Sequence, residues 1–193
     1  MRNERPHQSH LPRLDERAYD GLAMVHWTLT LEDRATGWLD STFHRRFREL
    51  TLHAAARQPF VCPVYCLMPD HLHLVWCGTS AHTRQLLAMR FLRRSLNVLL
   101  KPARLQHQAH DHVLDDTERE TDAFANACAY VLENPVRAAL VAGPRAWKWS
   151  GCIVPGYPFL HPLQPDYWGK FWKLYRKLTD GTVQPQAPQP PVP

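Results

Sequence analysis

Residues 68–76 read Met-Pro-Asp-His-Leu-His-Leu-Val-Trp, and His71 and His73 stand two positions apart in an apolar run launched by a Pro-Asp turn. Successive side chains of a strand point to opposite faces, so both imidazoles project from one face while Leu72 and Leu74 pack on the other. Two parallel imidazoles on a strand form half of a site for a divalent metal. The same spacing suits two ordinary histidines at a sheet edge. With 12 histidines among 193 residues, the chain carries a second such pair in His110-Asp111-His112. The apolar residue between them and the strand context favour the first pair as the chemical one.

A second group lies about sixty residues downstream, in Ala129-Tyr130-Val131-Leu132-Glu133-Asn134-Pro135-Val136-Arg137. Phe124, Ala127, Cys128, Val131 and Leu132 repeat at helical spacing, and the pattern predicts a helix over 121–132. Pro135 disfavours helical geometry in the residue before it, so the helix is expected to end at about Asn134. Tyr130 and Asn134, four apart, share one helical face. Asn134 offers a carbonyl oxygen to a metal and Tyr130 a phenol one turn away. Taken alone, the segment equally suits a half-buried tyrosine and a C-terminal asparagine cap.

Taken together and in this order, Pro-Asp-His-Leu-His-Leu-Val followed by Tyr-x-x-x-Asn-Pro-Val-Arg-Ala-x-Leu-Val resembles the single-tyrosine HUH transposases, more narrowly the REP-associated tyrosine transposases. The likeness runs from about His26 to Trp149 and includes Asp111-His112-Val113-Leu114 and Trp147-Lys148-Trp149-Ser150. Two stretches depart from it. Leu31–Leu39 lacks a Gln-Arg-Gly sequence after the first strand, and residues 102–110 form an unusual His/Gln-rich connection.

Charge agrees with a polyanionic partner. The chain has 23 basic against 18 acidic side chains, a net +5. From Thr79 to His110 it carries Arg84, Arg90, Arg93, Arg94, Lys101 and Arg104 with no Asp or Glu. A solvated helix face usually mixes signs, so this one-sided run favours phosphate contact, and Arg90, Arg93 and Arg94 would form one ridge. Arg84, Arg90, Arg93, Arg94, Lys101 and Arg137 are the candidates for backbone contacts to DNA, which position a strand without reading its sequence. No run of 18 or more apolar residues is present to span a bilayer. The five cysteines form no C-x-x-C pair and sit mostly in apolar runs, where cysteine behaves as a small core residue. With a polar N-terminus and no apolar signal core, a reducing cytoplasm is the expected location.

The elements that must position these residues follow from periodicity. A polar, mobile arm is expected over 1–20 and a first strand over 22–31. A helix is expected over 38–56 with Phe43, Phe47, Leu50 and Ala54 inside and Arg45, Arg46 and Arg48 outside. Runs 60–67 and 71–77 make a hairpin, 83–100 the basic helix and 112–114 a last strand. The order β-α-β-β-α-β-α implies an α+β, ferredoxin-like antiparallel sheet with helices on one face, which the resemblance makes an HUH endonuclease fold. The catalytic domain is expected over 21–150, an aromatic and basic extension over 151–182, and a Pro-rich tail over 183–193. Trp147, Trp149, Trp168, Phe171, Trp172 and Tyr175 interleave with Lys148, Lys170, Lys173, Arg176 and Lys177. This composition suits base stacking, and equally the packing of the C-terminal segment onto the domain.

The resemblance implies a mechanism. His71 and His73, with Asn134 as third ligand, would hold Mg²⁺ or Mn²⁺, the mixed nitrogen and oxygen set suiting Mn²⁺ better. Tyr130 would attack the scissile phosphate, forming a 5′-phosphotyrosine and freeing a 3′-hydroxyl that can later rejoin strands without ATP. Single-stranded DNA beside a hairpin repeat would be the substrate, and the working unit a monomer or homodimer. Asp111 or His112 are candidates to assist deprotonation of the phenol. Two alternatives stand beside this sequence-specific nuclease and strand transferase. One is a DNA-binding regulatory protein of the same fold with little or no turnover. The other is a hydrolase using metal-bound water, with Tyr130 structural.

Overall fold

The computed structural model describes residues 14–114 and 123–179. Within them β1 (Met24–Thr30), α1 (Ser41–Arg57), β2 (Phe60–Leu67), β3 (His71–Gly78), α2 (Gln85–Leu99), β4 (His110–Leu114), α3 (Ala123–Arg137), β5 (Ser150–Ile153) and α4 (Tyr167–Leu178) follow one another. The strands form one antiparallel sheet in the order β4-β1-β3-β2-β5. Its first four members have the expected ferredoxin-like arrangement. The hairpin between β2 and β3 closes where the Met68 N–H donates to the His71 carbonyl at 2.8 Å.

Alternation along the strands divides the chain between two cores. On the first face Val25, Trp27, Leu29, Leu72, Leu74 and Trp76 pack against α1 and α2. Asp40 starts α1 by accepting from the Phe43 N–H at 2.7 Å, and Phe43, Phe47, Thr51 and Ala54 form the stripe that faces the sheet. Leu86, Met89, Leu92 and Leu96 do the same for α2. Each such buried side chain contributes about 1.5–3 kcal/mol of transfer free energy, which holds both helices down. Arg48, expected outside, instead reaches inward between α1 and the sheet, donating to Tyr65 Oη at 2.8 Å and to the Cys152 carbonyl at 3.1 Å. A long stem lets an arginine on a helix flank bury its carbons while its guanidinium satisfies buried acceptors.

The second face is covered too, so the expectation of helices on one face holds for α1 and α2 only. Met24, Val61, Val64, Cys66, Val75 and Cys77 pack against Phe124, Cys128 and Val131 of α3 and Tyr167, Phe171, Trp172 and Tyr175 of α4. Both faces of the central strands are apolar enough to require cover. Residues beyond 150 therefore supply an edge strand and part of the second core. The aromatics of α4 are mostly spent on packing: Phe171, Trp172 and Tyr175 are buried, and Tyr175 Oη donates to the Gly78 carbonyl at 2.7 Å. Trp147 Nε1 likewise donates to the Leu67 carbonyl at 2.9 Å.

Two further expectations change. Helix α3 does not end at Asn134 but runs through Pro135 to Arg137. Proline disfavours helical geometry before it without forbidding it, and here the ring is buried near the helix end, where one lost donor is offset by packing. The chain then leaves the helix through a Schellman pair, Leu140 N–H to the Pro135 carbonyl and Ala139 N–H to the Val136 carbonyl, both at 2.9 Å, with Ala139 at φ 54°. The expected mobile arm is anchored at its end, since Tyr19 is fully buried and stacks on Trp27 at 5.5 Å. Residues 1–13 of that arm, Thr121 of the expected α3 start and the Pro-rich tail lie outside the described residues. All five cysteines are buried. Among the described residues no helix is long and apolar enough to cross a membrane.

Candidate functional site

Strands β1 and β3 are neighbours, with Thr28 opposite His73 and Thr30 opposite His71. On the second face this register replaces the aliphatic pattern with His26, Thr28, His71 and His73. His71 and His73 do share a face: their Nε2 atoms are 3.0 Å apart. His71 Nδ1 lies 2.6 Å from Asp70 Oδ1. An ionised carboxylate only accepts, so His71 donates from Nδ1, and the neutral form of the ring carries its lone pair on Nε2, toward His73. Asp70 is itself steadied by Arg34 at 3.0 Å, and these two partners hold its carboxyl below the ordinary value against the opposing effect of burial.

His73 is 5 % exposed and fully engaged. Its Nδ1 lies 3.1 Å from both His26 Nε2 and Thr28 Oγ1. Burial, then the neighbouring His26, His71 and Arg137, push its pKa down to about 3, while burial and then His112 push His26 down to about 4. Both imidazoles are therefore neutral at pH 7, the state in which a histidine nitrogen can hold a metal.

The gap between the two Nε2 atoms fits either one proton carried by His73 or one cation. A divalent cation would be within reach of both nitrogens at this separation. With a cation present, the proton of His73 would sit on Nδ1, where Thr28 and His26 accept it. Such anchoring of ligand imidazoles through their other nitrogen is what metal sites use. Among the described residues no group of three or more His, Cys, Asp and Glu converges on one point. The two imidazoles would thus supply part of a coordination shell and leave the rest to oxygen ligands.

Helix α3 lies over this face and carries Tyr130 to the histidines. The Tyr130 ring stands edge-on to His73 at 5.8 Å and to His26 at 6.0 Å. Two turns on, Arg137 places its guanidinium carbon 4.5 Å over the same ring. Tyr130 is 41 % exposed, so a substrate can reach it. Asn134 shares its helical face as expected, but its Nδ2 donates to the Tyr130 carbonyl at 2.8 Å. Among the described residues no hydrogen bond joins it to either imidazole.

The basic run behaves otherwise than a single DNA-binding ridge. Helix α2 packs on the first face, the layer opposite the histidines. There Arg90 pairs with Glu16 at 3.0 Å, and Arg93 donates to the carbonyls of Gln106 and His107. Arg84, Arg94 and Lys101 are exposed in that layer. Of the six basic candidates, the structure brings only Arg137 to Tyr130. Asp111 also faces away, accepting from Tyr19 Oη on the first face, so it cannot assist the phenol. His112 does share the second face, opposite His26.

His26 and Asp70 are the residues that sequence reasoning missed. The signal for His26 was present: Val25-His26-Trp27-Thr28-Leu29-Thr30 alternates apolar with polar, although both faces of β1 are covered. Asp70 looked like a turn residue, and only its distance to His71 reveals a second role.

No family model and no curated protein matches this sequence. Among solved structures, a REP-associated tyrosine transposase bound to a REP hairpin is similar over 96 % of this chain and 100 % of its own, with a TM-score of 0.64 and 18 % identity. At that identity the likeness is one of fold. The chain has the α+β antiparallel-sheet fold of that transposase.

Proposed function

We propose that this chain is a single-tyrosine DNA endonuclease and strand transferase of the REP-associated transposase kind, acting on single-stranded DNA at hairpin repeats. The observation that carries the reading is Tyr130, delivered by α3 to within 5.8 Å of His73, whose Nε2 faces that of His71 at 3.0 Å. Residues remote in sequence converge there on a nucleophile and an open ligand pair. The solved structure of the same fold is described as bound to a REP hairpin, which supports hairpin DNA as the partner here.

Tyr130 Oη attacks phosphorus, the Tyr130 O–P bond forms and the P–O3′ bond breaks. The phenolic proton passes to water and the leaving 3′-oxygen takes one up, leaving a 5′-phosphotyrosine and a free 3′-hydroxyl. Reversal with another 3′-hydroxyl joins strands, conserving the bond energy. Arg137 holds the Tyr130 ring and offers charge to the scissile phosphate. A Mg²⁺ or Mn²⁺ ion on His71 and His73, with Asn134 as proposed third ligand, would polarise the phosphate as a Lewis acid. Asp70, Thr28 and His26 keep the two imidazoles in their ligand tautomers. Tyr130 and the His71–His73 pair come together within one chain, so a monomer is the proposed working unit, in the cytoplasm.

The test is a denaturing gel of labelled single-stranded hairpin DNA from the gene's flanks, run with Mn²⁺, with chelator, and with Tyr130→Phe. A metal-dependent protein–DNA adduct lost in Tyr130→Phe is expected. Cleavage that survives Tyr130→Phe would point to metal-bound water as the nucleophile. Tight binding without cleavage would point to a regulatory protein of the same fold.

A further inference from the structure

The loop from β5 to α4 and the outer side of α4 enclose a cleft of about 640 Å³ that contains no residue of the Tyr130 site. Tyr157, Pro158 and Phe159 line the loop side, and Lys170, Lys173 and Lys177 the helix side. Phe159 is 90 % exposed and Tyr157 48 %. These rings are the opposite of the buried aromatics on α4, and they were not among the residues singled out by composition.

The loop holds them out firmly. The Tyr157 N–H donates to the Val154 carbonyl at 3.0 Å, Gln164 Nε2 to the Phe159 carbonyl at 3.3 Å, and Cys152 Sγ to the Leu160 carbonyl at 3.1 Å. Helix α4 cannot turn its lysines inward, because Phe171, Trp172 and Tyr175 occupy its other side. Lys170 is paired with Asp166 at 2.5 Å, whereas Lys173 and Lys177 make no ion pair among the described residues. Among the described residues no carboxylate lines the cleft. Basic side chains near a helix C-terminus complement its dipole, which accounts for Lys177 but neither for Lys173 nor for an exposed phenyl ring beside it.

We propose that this cleft binds a short unpaired stretch of nucleic acid, with a base stacked on Phe159 and backbone phosphates on Lys173 and Lys177. Exposed rings along a cationic groove are what single-strand binding requires, since every base has a face to stack and every linkage a charge to pair. An acidic peptide would use the lysines but leave the ring uncovered. The inference rests on the DNA-processing reading for the identity of the polymer, and adds to it a second contact that would grip single strand flanking the hairpin.

Fluorescence anisotropy with the full chain in chelator, so that no cleavage intervenes, tests it. The probes are a labelled hairpin with an extension of about eight unpaired nucleotides and the same hairpin blunt-ended, with poly-glutamate as competitor. Phe159→Ala is expected to weaken binding of the extended probe about tenfold and leave its salt dependence unchanged. Lys173→Ala with Lys177→Ala is expected to flatten the slope of log K against log salt by about 1.4. The blunt hairpin should be indifferent to both, and melting temperatures should match the parent because the replaced side chains are surface ones. Unchanged binding of the extended probe, equal losses on both probes, or poly-glutamate competition insensitive to Phe159→Ala would each overturn the inference. If those results accompany an intact Tyr130 adduct, the cleft assignment alone fails. If the parent chain binds neither probe, the DNA reading fails with it.

Discussion

Replacing Asp70 by alanine removes the acceptor that holds His71 with its lone pair on Nε2, while leaving both imidazoles in place. The contact is 2.6 Å and the carboxylate is 26 % exposed, so the interaction is only partly screened. Loss of such an outer partner typically weakens a metal site about 10–100-fold, or about 1.4–2.8 kcal/mol. If Mn²⁺ is supplied at about 100 times the parent dissociation constant, binding stabilises the parent by about 2.7 kcal/mol. For a chain of this size that raises Tm by roughly 5–11 °C. In Asp70→Ala the same Mn²⁺ concentration should contribute only about 0.4–1.4 kcal/mol, a rise of roughly 1–6 °C. Metal-free stability should fall by the worth of the Arg34 pair, about 1 kcal/mol or less because Arg34 is 64 % exposed, plus that of the His71 contact, about 1.5–3 kcal/mol. The assay is differential scanning fluorimetry with and without Mn²⁺, paired with Mn²⁺ electron paramagnetic resonance to count free ion. Parent-like affinity in Asp70→Ala would refute the tautomer argument, and no Mn²⁺ binding by the parent would refute the metal site itself.

Three other perturbations probe fold and site. Gly78→Ala should destabilise by about 1–3 kcal/mol in urea unfolding, because the added Cβ would stand 1.9 Å from the Gly21 carbonyl oxygen. Ala139→Gly should stabilise by about 1 kcal/mol by relieving a left-handed residue at φ 54°, and an unchanged urea midpoint would contradict the Schellman assignment. Burial holds His26 at about 4 and His73 at about 3, so the unfolded chain takes up protons near pH 6.5 that the native chain refuses. Stability of the metal-free protein should be full above about pH 6.5 and decline as pH falls toward 4, His26 alone accounting for at most about 3 kcal/mol. Unfolding free energies in chelator that stay level between pH 7 and pH 4.5 would rule this out.

Periodicity made the hairpin, the first three helices and the shared face of His71 and His73 legible, because each is set by side-chain direction over a few residues, whereas β5 and α4 were not foreseen. Tyr130 and Asn134 fall on one helical face for the same reason. The strand order of the ferredoxin-like sheet followed from the succession of elements. The sequence by itself therefore determined the local geometry of both chemical motifs and the class of the fold. Only the tertiary structure decided which motifs meet. Whether α3 covers the histidine face or the opposite one depends on which apolar surfaces are left after α1 and α2 have packed, a sum over the whole chain. That sum places Tyr130 beside His73, leaves the Arg90 and Arg93 helix in the other layer, and buries Phe171, Trp172 and Tyr175 while exposing Phe159. The roles of His26 and Asp70 belong to this second kind as well. Asp70 is adjacent to His71 in sequence, yet only the turn geometry aims its carboxylate at Nδ1. His26 is 47 residues from His73 and meets it through strand register, which no local pattern encodes.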